Sequence, residues 1–147
     1  MLYDIAATGV SIFIQSQTSF PQGFYVEGMA DDADPLSFAE LTVSEVDTNI
    51  NGDVVAWGKP QVLNPTLNVI AGSPADDNLQ VLLNARKNGI KEQCEMTVTY
   101  PDGSSITASQ GVIVTGTTGK GTTAAGRTAT RAYSFAFGTY NEQRAPR

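Results

Sequence analysis

"GSPADDNLQVLLNARKNGI", residues 72–90, is the stretch whose reading decides the fold. Ala75, Leu79, Leu82, Leu83 and Arg86 recur at helical spacing and form a single stripe. Both ends are punctuated. Ser73 can cap the N-terminus, Pro74 fits the first helical position, and Asp76 and Asp77 lie where the helix dipole favours anions. At the other end Arg86 and Lys87 suit the last turn, Gly89 can adopt the left-handed conformation beyond it, and Ile90 can fold back. The spacing predicts one α-helix at about residues 74–88.

On both sides of this segment the apolar period changes from helical to two, the period of strands. In "GVSIFIQSQ" Val10, Ile12 and Ile14 alternate with Ser11, Phe13 and Gln15. "FPQGFYVEGM" reads as a turn at residues 21–23 followed by a short aromatic strand, and "DDADP" as an acidic loop. "FAELTVSEVDT" places Leu41 and Val43 on one face and Glu40, Thr42 and Ser44 on a wetter one. "DVVAWGKP" and "QVLNPTLNVIAG" are further strand-rich runs, in which Pro60 and Pro65 belong at edges, bulges or strand ends. After the helix, "QCEMTVTY" and "SITASQGVIVTG" flank the turn "PDGS" as a hairpin, and Tyr133, Phe135 and Phe137 mark one face of a last strand. The expected fold is mainly β: an antiparallel sandwich or barrel of about seven or eight strands with one flanking helix, in a single domain over residues 1–147. The glycine- and threonine-rich loop 116–126 is expected to be flexible, and the tail 139–147 frayed or bound to a partner.

A chain of 147 residues buries roughly 70% of the surface of its unfolded form, enough for a core without staples. Cys94 is the only cysteine, so no internal disulfide is possible, and it is expected to pack as a small apolar group. No basic-then-apolar leader opens the sequence, and no run of about 18 apolar residues occurs, so neither a secretion signal nor a membrane span is predicted. No asparagine satisfies the glycosylation rule, since proline intervenes in Asn64-Pro65-Thr66.

The chemistry available is narrow. Histidine is absent, which removes Ser-His-Asp and Cys-His arrangements and makes ordinary zinc sites implausible. Glu40, Glu45, Asp47 and Asp53 are carboxylates of the kind a glycosidase pairs, yet Trp57 is the single tryptophan available as a sugar platform. "GTTGKGTT" departs from the phosphate-binding loop, because Val114 stands where the first glycine belongs and Gly121 where Ser or Thr is required. The expectation is a protein that is not an enzyme, with no cofactor and no metal.

"DTNINGD", residues 47–53, imitates the front of a calcium loop. With Asp47 as position 1, Asn49, Asn51 and Gly52 fall at positions 3, 5 and 6, but Val55 and Gly58 occupy positions 9 and 12, where strong ligands are needed. Asn51-Gly52 between two apolar runs instead predicts a hairpin with a type I′ turn. Charge is also unevenly divided. Through Asn78 acidic residues face Lys59 alone, whereas Arg86, Lys87, Lys91, Lys120, Arg127, Arg131, Arg144 and Arg147 dominate the remainder. Such asymmetry reads either as a solvated acidic surface with a basic tail or, more sharply, as head-to-tail association in which the acidic part of one copy meets the basic part of the next.

Taken in order, the early strands, the acidic loop, the hairpin with tip "NINGD", the run "GKPQVLNPTLNVIAGSPADDNLQVLLNARKNG", the following hairpin and the aromatic last strand resemble a tail tube protein of a contractile-tailed bacteriophage, in a superfamily that includes the tubes of type VI secretion. The resemblance spans roughly Gly9 to Phe137. It implies a virion protein that assembles in the bacterial host cytoplasm into hexameric rings, stacked head to tail as a hollow tube within a contractile sheath. The tube would meet the tail sheath protein outside and hold the tape measure protein and genomic DNA inside. Glu40, Thr42 and Ser44 are then the lumen candidates, their polarity letting polyanions slide. Contacts between rings would be made by the acidic loop Asp31, Asp32 and Asp34 and by the hairpin residues Asp47, Asn49, Asn51 and Asp53, facing Arg127 and Arg131. A tail terminator or baseplate ring protein is the nearest alternative, and a carbohydrate-binding or adhesin β-sandwich a more distant one.

Overall fold

The computed structural model describes residues 9–31, 34–90 and 92–144. Nine strands and one helix are formed among them: β1 Ser11–Ser16, β2 Phe24–Tyr25, β3 Leu36–Phe38, β4 Ser44–Thr48, β5 Val54–Gly58, β6 Pro65–Val69, α1 Pro74–Lys87, β7 Cys94–Thr99, β8 Ser105–Gly116 and β9 Arg131–Gln143. Seven strands make one curled antiparallel sheet in the order β2-β1-β7-β8-β9-β6-β3, and β4 and β5 form a separate hairpin. The mainly β fold with one helix agrees with the sequence reading, in the form of a half-barrel. The ninth strand arises because the run 38–48 divides in two. β3 ends where Phe38 pairs with Pro65, which has no N–H to continue the ladder.

The alternation seen in the sequence is the burial pattern of the sheet. Ile12 and Ile14, Leu67 and Val69, Met96 and Val98, and Tyr133, Phe135 and Phe137 all turn to one face and are buried there. α1 covers this face with Ala75, Leu79 and Leu82, while Leu83 is half-buried and Arg86 lies outside the stripe, exposed. The helix is so close to β8 that a Cβ at Gly116 would stand 2.8 Å from the Leu83 side chain. At Gly111 a Cβ would stand 2.1 Å from the Phe137 ring, so the ring occupies the space that any larger residue would need.

The helix ends form as the sequence predicts. The Ser73 hydroxyl accepts the Asp76 N–H at 3.3 Å. The N–H of Gly89, with φ +82°, donates to Arg86, and the N–H of Ile90 donates to Ala85, closing a Schellman cap. Asp76 does more than offset the dipole. It is fully buried, and its Oδ1 accepts the Tyr133 hydroxyl at 2.7 Å while its Oδ2 accepts Arg131 Nη1 at 2.8 Å and the Gly72 N–H at 3.0 Å. Arg131 also donates to the carbonyl of Gly119, and Gln80 to that of Thr117. One carboxylate thus joins the first turn of α1, the start of β9 and the 117–130 loop. Burial, together with the hydrogen bond to Asp76, pushes the Tyr133 hydroxyl up to about 12.

The tail differs from its expectation in part. Residues 139–143 continue β9 and pair with the start of β8, for instance Ser105 with Gln143, while residues 145–147 lie outside the described chain.

Replacing Asp76 with alanine should destabilise the protein by about 3–5 kcal/mol, because Arg131 and Tyr133 would keep buried polar groups without their acceptor. Chemical denaturation should show this, and the double variant Asp76→Leu/Arg131→Met should lose markedly less than the two single losses combined.

Candidate functional site

The β4–β5 hairpin stands apart from the core. Of its strand residues only Glu45 is half-buried and the rest are exposed. The pairing Val46↔Ala56 and Thr48↔Val54 puts an apolar strip on one face, while Glu45↔Trp57 and Asp47↔Val55 occupy the other. Neither face is covered by the described residues: Val54 is 71% exposed, Val46 66% and Trp57 46%. At the tip Ile50 projects completely into solvent. An isolated two-stranded ribbon is marginal in water, so the tip must hold its own geometry.

It does so through Asn49. Its side-chain oxygen accepts the N–H groups of Asn51 at 3.0 Å and Asp53 at 2.9 Å. Its backbone N–H donates to Asp53, and its carbonyl accepts the Gly52 N–H. Gly52 has φ +84°, whereas Asn51 keeps a negative φ, so the predicted type I′ turn is corrected to a three-residue loop, Ile50–Gly52, whose last residue is left-handed. The cause is the Asn49 side chain, which ties the loop one residue earlier than the Asn-Gly pair alone suggests. At the base, Lys59 and Glu45 form an exposed ion pair at 2.9 Å.

A second surface is the face of the large sheet opposite α1. The registers place Ser11, Phe13 and Gln15, then Glu95, Thr97 and Thr99, then Thr107, Ser134, Ala136, Thr66 and Asn68 on it. Thr66 and Ser134 join hydroxyls across strands at 3.1 Å. Among the described strand residues of this face, Glu95 is the one charged side chain. At its β2 end Phe13 packs on Tyr25 with ring centroids 4.9 Å apart, over Gly23, where a Cβ would stand 2.3 Å from the Phe13 ring.

A third feature is a shallow depression beside the helix C-terminus, lined by Gln17, Arg86, Glu92, Gln93, Gln110, Gly111 and Val112. Its rim owes its form to a bulge in β8, where Ser109 and Gln110 oppose Glu95 alone and Gln110 adopts φ +55°. Glu92 is 2% exposed and fully engaged. Oε1 accepts Ser19 N–H at 2.7 Å, Thr18 N–H and the Ser16 hydroxyl at 3.2 Å each, and Oε2 accepts the Ser19 hydroxyl at 2.8 Å. Burial alone would raise its titration, but the Ser19, Ser16 and Thr18 donors outweigh burial and hold the carboxyl below its ordinary value. Burial and the nearby Glu92 charge push the Cys94 thiol up to about 11.

The structure distributes the sequence candidates unevenly. Glu40 and Thr42 lie in the irregular stretch after β3, and Ser44 opens β4; all three are exposed, and none is on the large sheet. Asp47, Asn49, Asn51 and Asp53 do gather at the exposed hairpin end. Asp31 meets Arg127 within the same chain through two hydrogen bonds of 3.0 and 3.2 Å, and the guanidinium holds the Asp31 carboxyl below its usual value. Asp34 is exposed, and Asp32 lies outside the described residues. Arg131 is committed to Asp76 in the interior, so it is not a surface cation. Asp76 and Glu92 were missed as organising residues because their partners lie far off in sequence, Arg131 by 55 positions and Ser19 by 73. Among the described residues no cluster of His, Cys, Asp or Glu is arranged to hold a metal ion, and no helix is long and apolar enough to cross a membrane.

Residues 3–141 match the model of a family described as tail fiber protein gp32. No curated protein sequence matches the chain. Solved structures share its fold at low identity. A sheath/tube terminator structure from an extracellular contractile injection system, PVC, superposes with a TM-score of 0.73 at 12% identity, over 98% of this chain and 99% of that one. The tube-terminating cap of the anti-feeding prophage gives 0.66 at 14% identity, over 99% and 94% of the two chains. A chain of the six-fold symmetrised baseplate of the same particle gives 0.65 at 10% identity, over 97% of each.

The Glu92 network has a pH signature. Its folded-state titration lies below the ordinary glutamate value of 4.5, so its contribution is fully present above that value and is lost as pH falls through the lowered one. Wild type should therefore lose stability below about pH 4.5 more steeply than Glu92→Gln, which should be weaker at neutral pH; urea denaturation midpoints measured from pH 7 to pH 3 check both.

Proposed function

The chain belongs to the tail fiber protein gp32 family, and from that membership we propose that it is a ring-forming structural protein of a contractile phage-type tail, placed at an end of the central tube as a terminator or baseplate ring. The observation that carries this reading is the β4–β5 hairpin, an arm held outside the sheet with Val46, Ile50, Val54 and Trp57 uncovered. Its apolar surface and the two open sheet edges, β2 and β3, leave a single copy incomplete. Contacts between different surfaces of identical copies close into rings. The terminal position, which stood as the alternative in the sequence reading, is supported by the fold shared with a tube terminator, a tube-terminating cap and a baseplate component. The repeated tube subunit is the second reading, favoured by a sheath–tube complex structure that superposes at 0.65 and 12% identity.

In either position the role is mechanical and not catalytic. The helix-covered face is filled by the core, so the opposite face of the sheet is the natural wall of a central channel. Its hydroxyls and amides offer no cation for a phosphate to bind, and Glu95, repeated around a ring, repels polyanions. This replaces Glu40, Thr42 and Ser44 as the candidate lumen. The partners in this account are further copies of the chain, tube and sheath components, and tape measure protein and DNA passing through the channel, in a particle assembled in the bacterial cytoplasm.

Electron microscopy of the purified protein tests the reading. Discrete rings are expected for a terminal component and long tubes for a repeated subunit, while a protein that stays monomeric at high concentration would refute both. Exchanging residues 44–58 for a short glycine-serine linker should abolish assembly yet leave folding stability within about 1 kcal/mol of wild type, since the hairpin adds nothing to the core.

A further inference from the structure

The sequence pairs an acidic hairpin with Arg127 and Arg131, but Arg127 is engaged with Asp31 and Arg131 is buried against Asp76. The basic surface that answers the hairpin must therefore be another one. Arg86 and Lys87, at the exposed end of α1, form no ion pair among the described residues. Arg86 lines the depression together with Gly111, the half-buried Val112 and the amide-bearing Gln17, Gln93 and Gln110. The one carboxylate there, Glu92, is saturated by donors from Ser16, Thr18 and Ser19.

We propose that this depression receives the hairpin tip of a second copy of the chain, with Ile50 entering it and with Asp47 and Asp53 facing Arg86, Lys87 and the glutamine amides. Two observations meet here. Ile50 is a fully exposed apolar side chain on a loop locked by Asn49, so little ordering entropy is lost when it docks. Its flanking carboxylates complement the cations and amide donors of the rim. A contact between unlike surfaces of identical subunits is the geometry that builds a ring when its rotation closes. An apolar residue seated at the centre of a polar rim is also the arrangement in which interface energy concentrates.

This inference rests on the ring-forming reading, and a charge exchange separates the two. Arg86→Glu/Lys87→Glu alone, and Asp47→Lys/Asp53→Lys alone, should each raise the concentration needed for assembly by about tenfold or more, as loss of close interfacial charge pairs does. The four changes combined should return it to within about threefold of wild type, and Ile50→Ser alone should also impair assembly. All these positions are exposed, so circular dichroism should show the variants folded. Sedimentation velocity and electron microscopy read the outcome. If wild type forms rings but neither reversal affects them, or the combined variant is no better than the single reversals, this contact is overturned while the ring reading stands. If wild type forms no assembly, both fall.

Discussion

One helix covering one face of a seven-stranded sheet is the constraint from which the rest of the structure follows. Tyr133, Phe135 and Phe137 on the interior strand β9 give that face its apolar mass, and Leu79 and Leu82 close it. The buried Asp76 holds the arrangement in register, joining the helix start to Arg131 and Tyr133 on β9. A buried ion pair is weak evidence of net stabilisation, but it fits one geometry and rejects others. Here it fixes the start of the helix beside β9, and with it the position of Arg86 at the far end.

A sheet covered on one side and open at both edges is a fold built for company. Its uncovered face is polar and nearly free of charge, its edges are the short strands β2 and β3, and among the described residues β4 and β5, between β3 and β6, pair as strands only with each other. Short edge strands limit unwanted pairing in the free protein. The arm supplies the opposite property, a rigid apolar tip in solvent. These features are economical in a ring component and hard to account for in a self-sufficient monomer.

Much of the fold was legible because its signals are local. The helix caps, the period-two strands around Met96 and Phe135, and the position of the projecting hairpin are written in neighbouring residues. What depends on distant partners was not. "FAELTVSEVDT" reads as one strand until Pro65, with no N–H to donate, is found opposite Phe38. Arg131 reads as a surface cation until Asp76 is found beside it, and Glu40 and Thr42 read as a sheet face although no strand includes them. For the same reason the polar wall of Thr66, Thr97, Thr107 and Ser134 was invisible: its members come from four strands, and only the register assembles them.

The central claim is that the hairpin is covered by another copy of the chain. Amide hydrogen exchange, compared between the assembled and the dissociated protein, tests it most directly. Backbone amides of residues 46–57 should exchange quickly in the free chain and become strongly protected on assembly. Assembly that leaves exchange in the hairpin unchanged would contradict the account.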